Sequence, residues 1–83
     1  MSEAYYFSGI TQSESLKVIF NSREEVYLAS SKTNYKLKDV SNKFYDSIEE
    51  KERCLKLSDK EFVMYVIIQF GQKGYKFIKR ENE

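Results

Sequence analysis

The first half of the chain alternates short apolar runs with polar breaks: AYYFSGI, TQSES, LKVIF, NSRE, EVYLAS, SKTN and YKLKDV. Strand-length runs punctuated every few residues predict an antiparallel β-meander from about residue 4 to 38. Within LKVIF, a period of two puts Leu16, Val18 and Phe20 on one face and Lys17 and Ile19 on the other. In NYKLKDV the same period turns Tyr35 and Leu37 inward and leaves Lys36 and Lys38 outward. NSREEVYLAS admits two readings, a strand or a short helix started by the capping box of Ser22 and Glu25.

The period then changes. In VSNKFYDSIEEKERCLKL, the residues Val40, Phe44, Ile48 and Leu55 recur at helical spacings, with Tyr45 alongside. This predicts an amphipathic helix over about 40–55, capped by Asp39 or Ser41, whose wet side carries Asp46, Glu49 and Glu50 among Lys51 and Arg53. Cys54 falls beside the stripe as a small, partly buried thiol. The last apolar stretch, EFVMYVIIQFGQKGYKFIKR, again reads two ways. Ser58 and Glu61 form a capping box and Gly71 or Gly74 offers a C-terminal cap, which favours a helix. Its β-branched and aromatic residues favour a strand, and they would surround a helix with apolar surface that so small a domain can hardly enclose. The adopted reading is a C-terminal β-hairpin. Phe62, Met64, Val66, Ile68 and Phe70 share one strand face, Val63, Tyr65 and Ile67 the other, and YKFIKR returns after GQKG. The expected fold is a single small α+β domain over 1–83, with the meander, one helix packed on a sheet face, and the hairpin. In that fold, Ile48→Asp and Val66→Asp would each unfold the chain.

Composition narrows the picture. At 83 residues the chain buries only about 60% of its unfolded surface, which leaves stability thin and makes a homo-oligomer or partner useful. Hydrophobic residues at 41% and aromatics at 16% argue against disorder. A net charge of +1 lacks the global basic field of a dedicated duplex-DNA binder. With one cysteine and no histidine, neither an internal disulfide nor the usual zinc ligand set can be built, and a reducing, cytoplasmic setting fits. No apolar run reaches the roughly 18 residues of a spanning helix, so no membrane association is expected. Serine or cysteine nucleophiles lack a histidine base, and GQKGYK has the wrong spacing for a phosphate-binding loop. The acids crowd onto one helix face instead of lining a cleft. The expectation is a non-enzymatic protein with no cofactor.

Two binding surfaces remain. YKLK at 35–38 and YKFIKR at 75–80 mix aromatic and basic residues, and if paired they would gather Lys36, Lys38, Lys76 and Arg80, with Tyr75 and Lys79, into a site for RNA or single-stranded DNA. The strict alternation instead suits core aromatics beside solubilising lysines, because a platform would put rings and bases on the same face. The favoured expectation is therefore a protein partner, met by the basic residues or by the acidic face of Asp46, Glu49 and Glu50. No motif identifies a family. A chain under 90 residues that lacks histidine and proline and is rich in Lys, Glu, Ser, Tyr and Phe is similar in composition to small accessory proteins of bacteriophages and mobile elements. That resemblance implies a modulator or inhibitor of a host or defence protein.

Overall fold

The computed structural model describes residues 2–82. Strands β1 (Glu3–Gly9), β2 (Ser15–Ser22) and β3 (Glu25–Ser30) form the expected meander, and β4 (Lys38–Asp39) adds a short fourth strand. Helices α1 (Ile48–Leu55) and α2 (Asp59–Gln72) follow, then β5 (Tyr75–Asn82). All strand pairs are antiparallel, in the spatial order β4-β3-β2-β1-β5. The α+β class of the sequence reading holds, with a two-layer arrangement of sheet and helices.

Local chemistry explains the strand ends. Gly9 donates to the Glu14 carbonyl at 2.7 Å, closing the β1–β2 turn, and a Cβ at Gly9 would lie 2.4 Å from the Gln12 carbonyl oxygen. Only glycine fits that approach. Ser22, one half of the suspected capping box, caps no helix. Its Oγ accepts from the N–H groups of Glu24 and Glu25 at 3.2 and 3.1 Å, so it closes the β2–β3 turn and the run after it is a strand.

The helix expected over 40–55 begins only at Ile48, eight residues into that range, and ends at Leu55. Val40 donates to the Val26 carbonyl at 2.9 Å, and Ser41 Oγ accepts from the Val26 N–H at 2.9 Å, so this segment is tied to β3 instead of coiling. The Asp39 carboxylate accepts from the Ser41 N–H at 2.9 Å, an Asx-type turn. The true cap is Ser47, whose Oγ accepts from Glu50 at 3.0 Å. The proposed stripe dissolves accordingly. Phe44 and Tyr45 reach the core from a loop, while Ile48 is 77% exposed and Leu55 is also exposed. An aspartate at Ile48 would therefore be tolerated, not unfolding as the stripe implied. Tyr35 and Leu37 are likewise not inward: both are more than half exposed, because the chain there bends through left-handed backbone at Asn34 and Tyr35.

The C-terminal hairpin is the larger correction. Residues 59–72 are helix, and YKFIKR pairs with β1, not with its sequence neighbour. The capping box prevails over β propensity: Glu61 N–H donates to Ser58 Oγ at 3.2 Å and Ser58 N–H to the Glu61 carboxylate at 3.1 Å. Gly74, with φ of +91°, ends the helix in a conformation glycine adopts freely. The sheet also needed a cover, which another strand could not supply. The objection to an all-round apolar helix is met by leaving part of it wet, since Met64 and Ile68 are about half exposed.

The core lies between the layers. Tyr5, Phe7, Leu16, Val18, Phe20 and Val26 of the sheet meet Tyr45, Cys54, Phe62, Tyr65, Val66 and Phe70. Each large apolar side chain buried there contributes roughly 1.5–3 kcal/mol. Phe7 stacks on Phe70 with ring centroids 4.7 Å apart, and Phe20 meets the edges or faces of Phe44 and Phe62 at 5.3 and 5.4 Å. Arg23, at the β2–β3 turn, clasps the helical layer. Its Nη1 donates to the carbonyls of Cys54 and Leu57 at 2.8 and 2.6 Å, its Nη2 to Asp59 at 3.0 Å, and it lies 4.7 Å over the Phe62 ring.

Candidate interaction surface

Both helices cover one face of the sheet, so the alternate residues of the same strands form a second face without a helical lid. Strand alternation and register identify it. Tyr6 of β1 stands opposite Lys17 of β2 and Lys79 of β5, while Ile19 of β2 stands opposite Tyr27 of β3, and Lys17 opposite Ala29. The 3-10 turn at Ser31–Thr33, capped by Ser30, folds the following segment back toward this face. Tyr35 N–H donates to the Ser30 carbonyl at 2.8 Å, which holds Tyr35 and Leu37 as one wall of an open groove. Ile78 and Lys79 form the opposite wall, Tyr6, Ile19 and Ala29 line it between them, and its volume is about 630 Å³.

Charge is placed around the rings. The ammonium groups of Lys17 and Lys79 lie 5.5 and 5.0 Å from the Tyr6 ring centroid, within cation–π range. Lys79 also pairs with Glu81 at 3.0 Å. The hydrogen bond from Lys79 holds the Glu81 carboxyl below its ordinary range, and the same bond raises Lys79. The face is thus apolar and aromatic with a mixed, mostly basic margin.

The residues singled out from the sequence separate. Lys38 is in β4 and Lys36 lies just before it, at the opposite edge of the sheet from β5, so the site that their pairing with β5 would have built does not form. At about 4.8 Å per strand, the two edges are roughly 19 Å apart. Lys79 joins the open face, and Lys76 is exposed beside it. Arg80 falls on the other side and meets Glu3 at 3.4 Å. Tyr75 has a structural role: its hydroxyl donates to Glu14 at 2.6 Å, and Ser30 Oγ donates to the same carboxylate. The acidic face is also divided, since Asp46 precedes the helix and Glu50 is engaged by Arg53 at 2.6 Å.

Tyr6, Ile19, Tyr27 and Ile78 escaped the sequence reading as binding residues. Two signals were available: in Tyr5-Tyr6-Phe7 the middle ring must oppose its neighbours, and Ile19 is an apolar residue on the wet side of β2.

Elsewhere the chemistry is quiet. Burial pushes the Cys54 thiol up and the Tyr45 hydroxyl up to about 12. Cys54 is a free thiol wholly enclosed in the core. Among the described residues, no group of three or more His, Cys, Asp and Glu side chains is arranged to hold a metal ion. No helix among them is long and apolar enough to cross a membrane. Comparison with protein-family models, curated proteins and solved structures finds no match to the chain.

Proposed function

We propose that the chain is a non-enzymatic protein-interaction module whose contact surface is the open sheet face. The observation that carries this reading is the groove walled by Tyr35, Leu37 and Ile78. Three large apolar side chains, each more than half exposed, sit there together on a scaffold small enough that such area would otherwise serve its own core. Tyrosine and isoleucine in a concave patch with lysines at the margin are suited to a partner's apolar anchor flanked by acidic residues. The compositional likeness to phage and mobile-element accessory proteins supports a modulator or inhibitor of a host or defence protein. Its setting would be the cytoplasm, in keeping with a single, buried cysteine.

A second reading has one observation in its favour. Tyr6, with Lys17 and Lys79 beside its ring, puts aromatic and basic groups on the same sheet face, as a single-stranded RNA or DNA platform requires. Glu81 weighs against it, because its carboxylate pairs with Lys79 where a phosphate would bind.

The test is capture of partners from a bacterial lysate on the immobilised chain, with and without nuclease, using wild type, Ile78→Ser and Met64→Ser. A protein retained after nuclease and a moderate salt wash, lost by Ile78→Ser but kept by Met64→Ser on the helical side, is the expected result. Retention of nucleic acid instead, with affinity falling steeply as salt rises, would replace the protein-binding reading with the second one.

A further inference from the structure

Strand β5 is an edge of the sheet, and among the described residues it pairs with β1 alone. It has eight residues, against two for β4 at the opposite edge. In an antiparallel strand, alternate residues direct their N–H and C=O groups to opposite sides. One side of β5 is therefore bonded to β1 and the other is a free template for a further strand.

Charges usually blunt such an edge, and β5 carries Lys76, Lys79, Arg80 and Glu81. Their order nevertheless suits a second copy of the same strand. The register steps from Phe7↔Phe77 to Tyr6↔Lys79, so Ile78 is an extra, bulged residue. Because of it, Lys76, Lys79 and Glu81 share the open face, while Phe77 and Arg80 share the covered face. Lay β5 antiparallel on its copy with the two-fold axis between Ile78 and Lys79. Lys76 then stands opposite the second copy's Glu81, and Phe77 opposite the second copy's Arg80, and symmetry makes each pair twice. Every opposed pair lies on a common face, which an unbulged strand in this register would not allow. A shift by one residue sets Lys76 against Arg80, or Lys79 against its own copy. Beside the edge, Val63 and the half-exposed Met64 of α2 form a shallow depression with Arg80, adding apolar surface where the second copy would arrive.

We propose that the chain forms a two-fold symmetric dimer through β5, joining the two sheets edge to edge. The axis runs perpendicular to the sheet, so the open grooves of both copies face the same way and present one bivalent surface. This goes beyond the binding role proposed above and holds whichever partner the groove takes.

The experiment is sedimentation equilibrium of the full chain over a concentration series, with circular dichroism as the check on folding. Wild type is expected to dimerise. Lys76→Glu and Glu81→Lys, each creating two like-charge oppositions, should weaken the dimer by roughly ten-fold or more, and the double variant should recover it. A wild type that stays monomeric overturns the proposal. So does a dimer indifferent to both single substitutions, or a folded double variant that does not recover. Should a single variant fail to fold, wild-type dimerisation measured against salt decides: weakening with rising salt supports the charge-matched edge, and strengthening overturns it.

Discussion

Neighbouring residues of the same strands meet opposite conditions on the two sides of this sheet. On the covered side, Tyr5, Phe7, Val18 and Val26 are almost wholly enclosed and apolar. On the open side, Tyr6, Lys17, Ile19 and Lys79 mix rings, branched aliphatics and charge. The difference shows what a small domain can do with limited apolar residues. It spends most of those on one side to make a core, and the larger ones left on the other side, Tyr6 and Ile19, stay partly exposed. Their presence in a groove is the ground on which that side is proposed as a contact surface.

The contrast is sharpest at Val18 and Ile19, adjacent in β2 and chemically alike. Val18→Asp buries a carboxylate among Tyr5, Phe20 and Val26 and should remove more than about 4 kcal/mol, enough to unfold a domain of this size. Ile19→Asp changes a partly exposed side chain and should cost about 1 kcal/mol, largely from poor strand propensity. Urea unfolding followed by circular dichroism measures both. Similar losses at the two positions would mean that the open face is part of the core and would end the case for it as a contact surface.

A weaker perturbation tests how the covered side is held to its lid. Arg23 spans from the β2–β3 turn to the α1–α2 junction through hydrogen bonds to Cys54, Leu57 and Asp59. Arg23→Ala leaves two carbonyls short of a charged donor and should cost about 2 kcal/mol in the same assay. Arg23→Lys, with a point charge in place of a planar fork, should recover only part of it. The open face should be unaffected, so partner capture by folded Arg23→Ala protein would separate scaffold from surface.

How far this division could be read in advance depended on what decided each segment. Period-two alternation in Leu16–Phe20 sorted core from surface correctly, because side-chain direction in a strand is fixed by the backbone. Helical spacing misled at Val40, Phe44 and Ile48, because three residues at plausible intervals need not lie on one helix. The serine and aspartate around them were bonding to β3 and to a turn. For 59–72 the local signals conflicted, and the outcome turned on the sheet's need for a cover, a non-local demand that no window of sequence contains. The groove was harder still to foresee. It depends on the left-handed bend at Asn34 and Tyr35 and on β5 pairing with β1, which bring residues 6, 35 and 78 to one place.

The smallest expected effect concerns the stitch at one end of the sheet. Glu14, in the turn between β1 and β2, accepts hydrogen bonds from Ser30 at the end of β3 and Tyr75 at the start of β5, joining three parts of the chain. The bond from Ser30, then that from Tyr75, holds its carboxyl below the value of 4.5 it would have when exposed. A depressed carboxylate pKa stabilises the fold above the unfolded value, and that contribution is lost as pH falls through the folded one. Glu14→Gln keeps an acceptor oxygen but removes the titration. Its unfolding free energy should therefore lose less than wild type's between neutral pH and the acid limb below about 4.5, with only a slight deficit at pH 7. Glu14 is only partly buried, so the change should be small and blunted by salt. Identical pH dependence in the two proteins would show that the stitch does not bear on stability, leaving the orientation of β5 to its pairing with β1 alone.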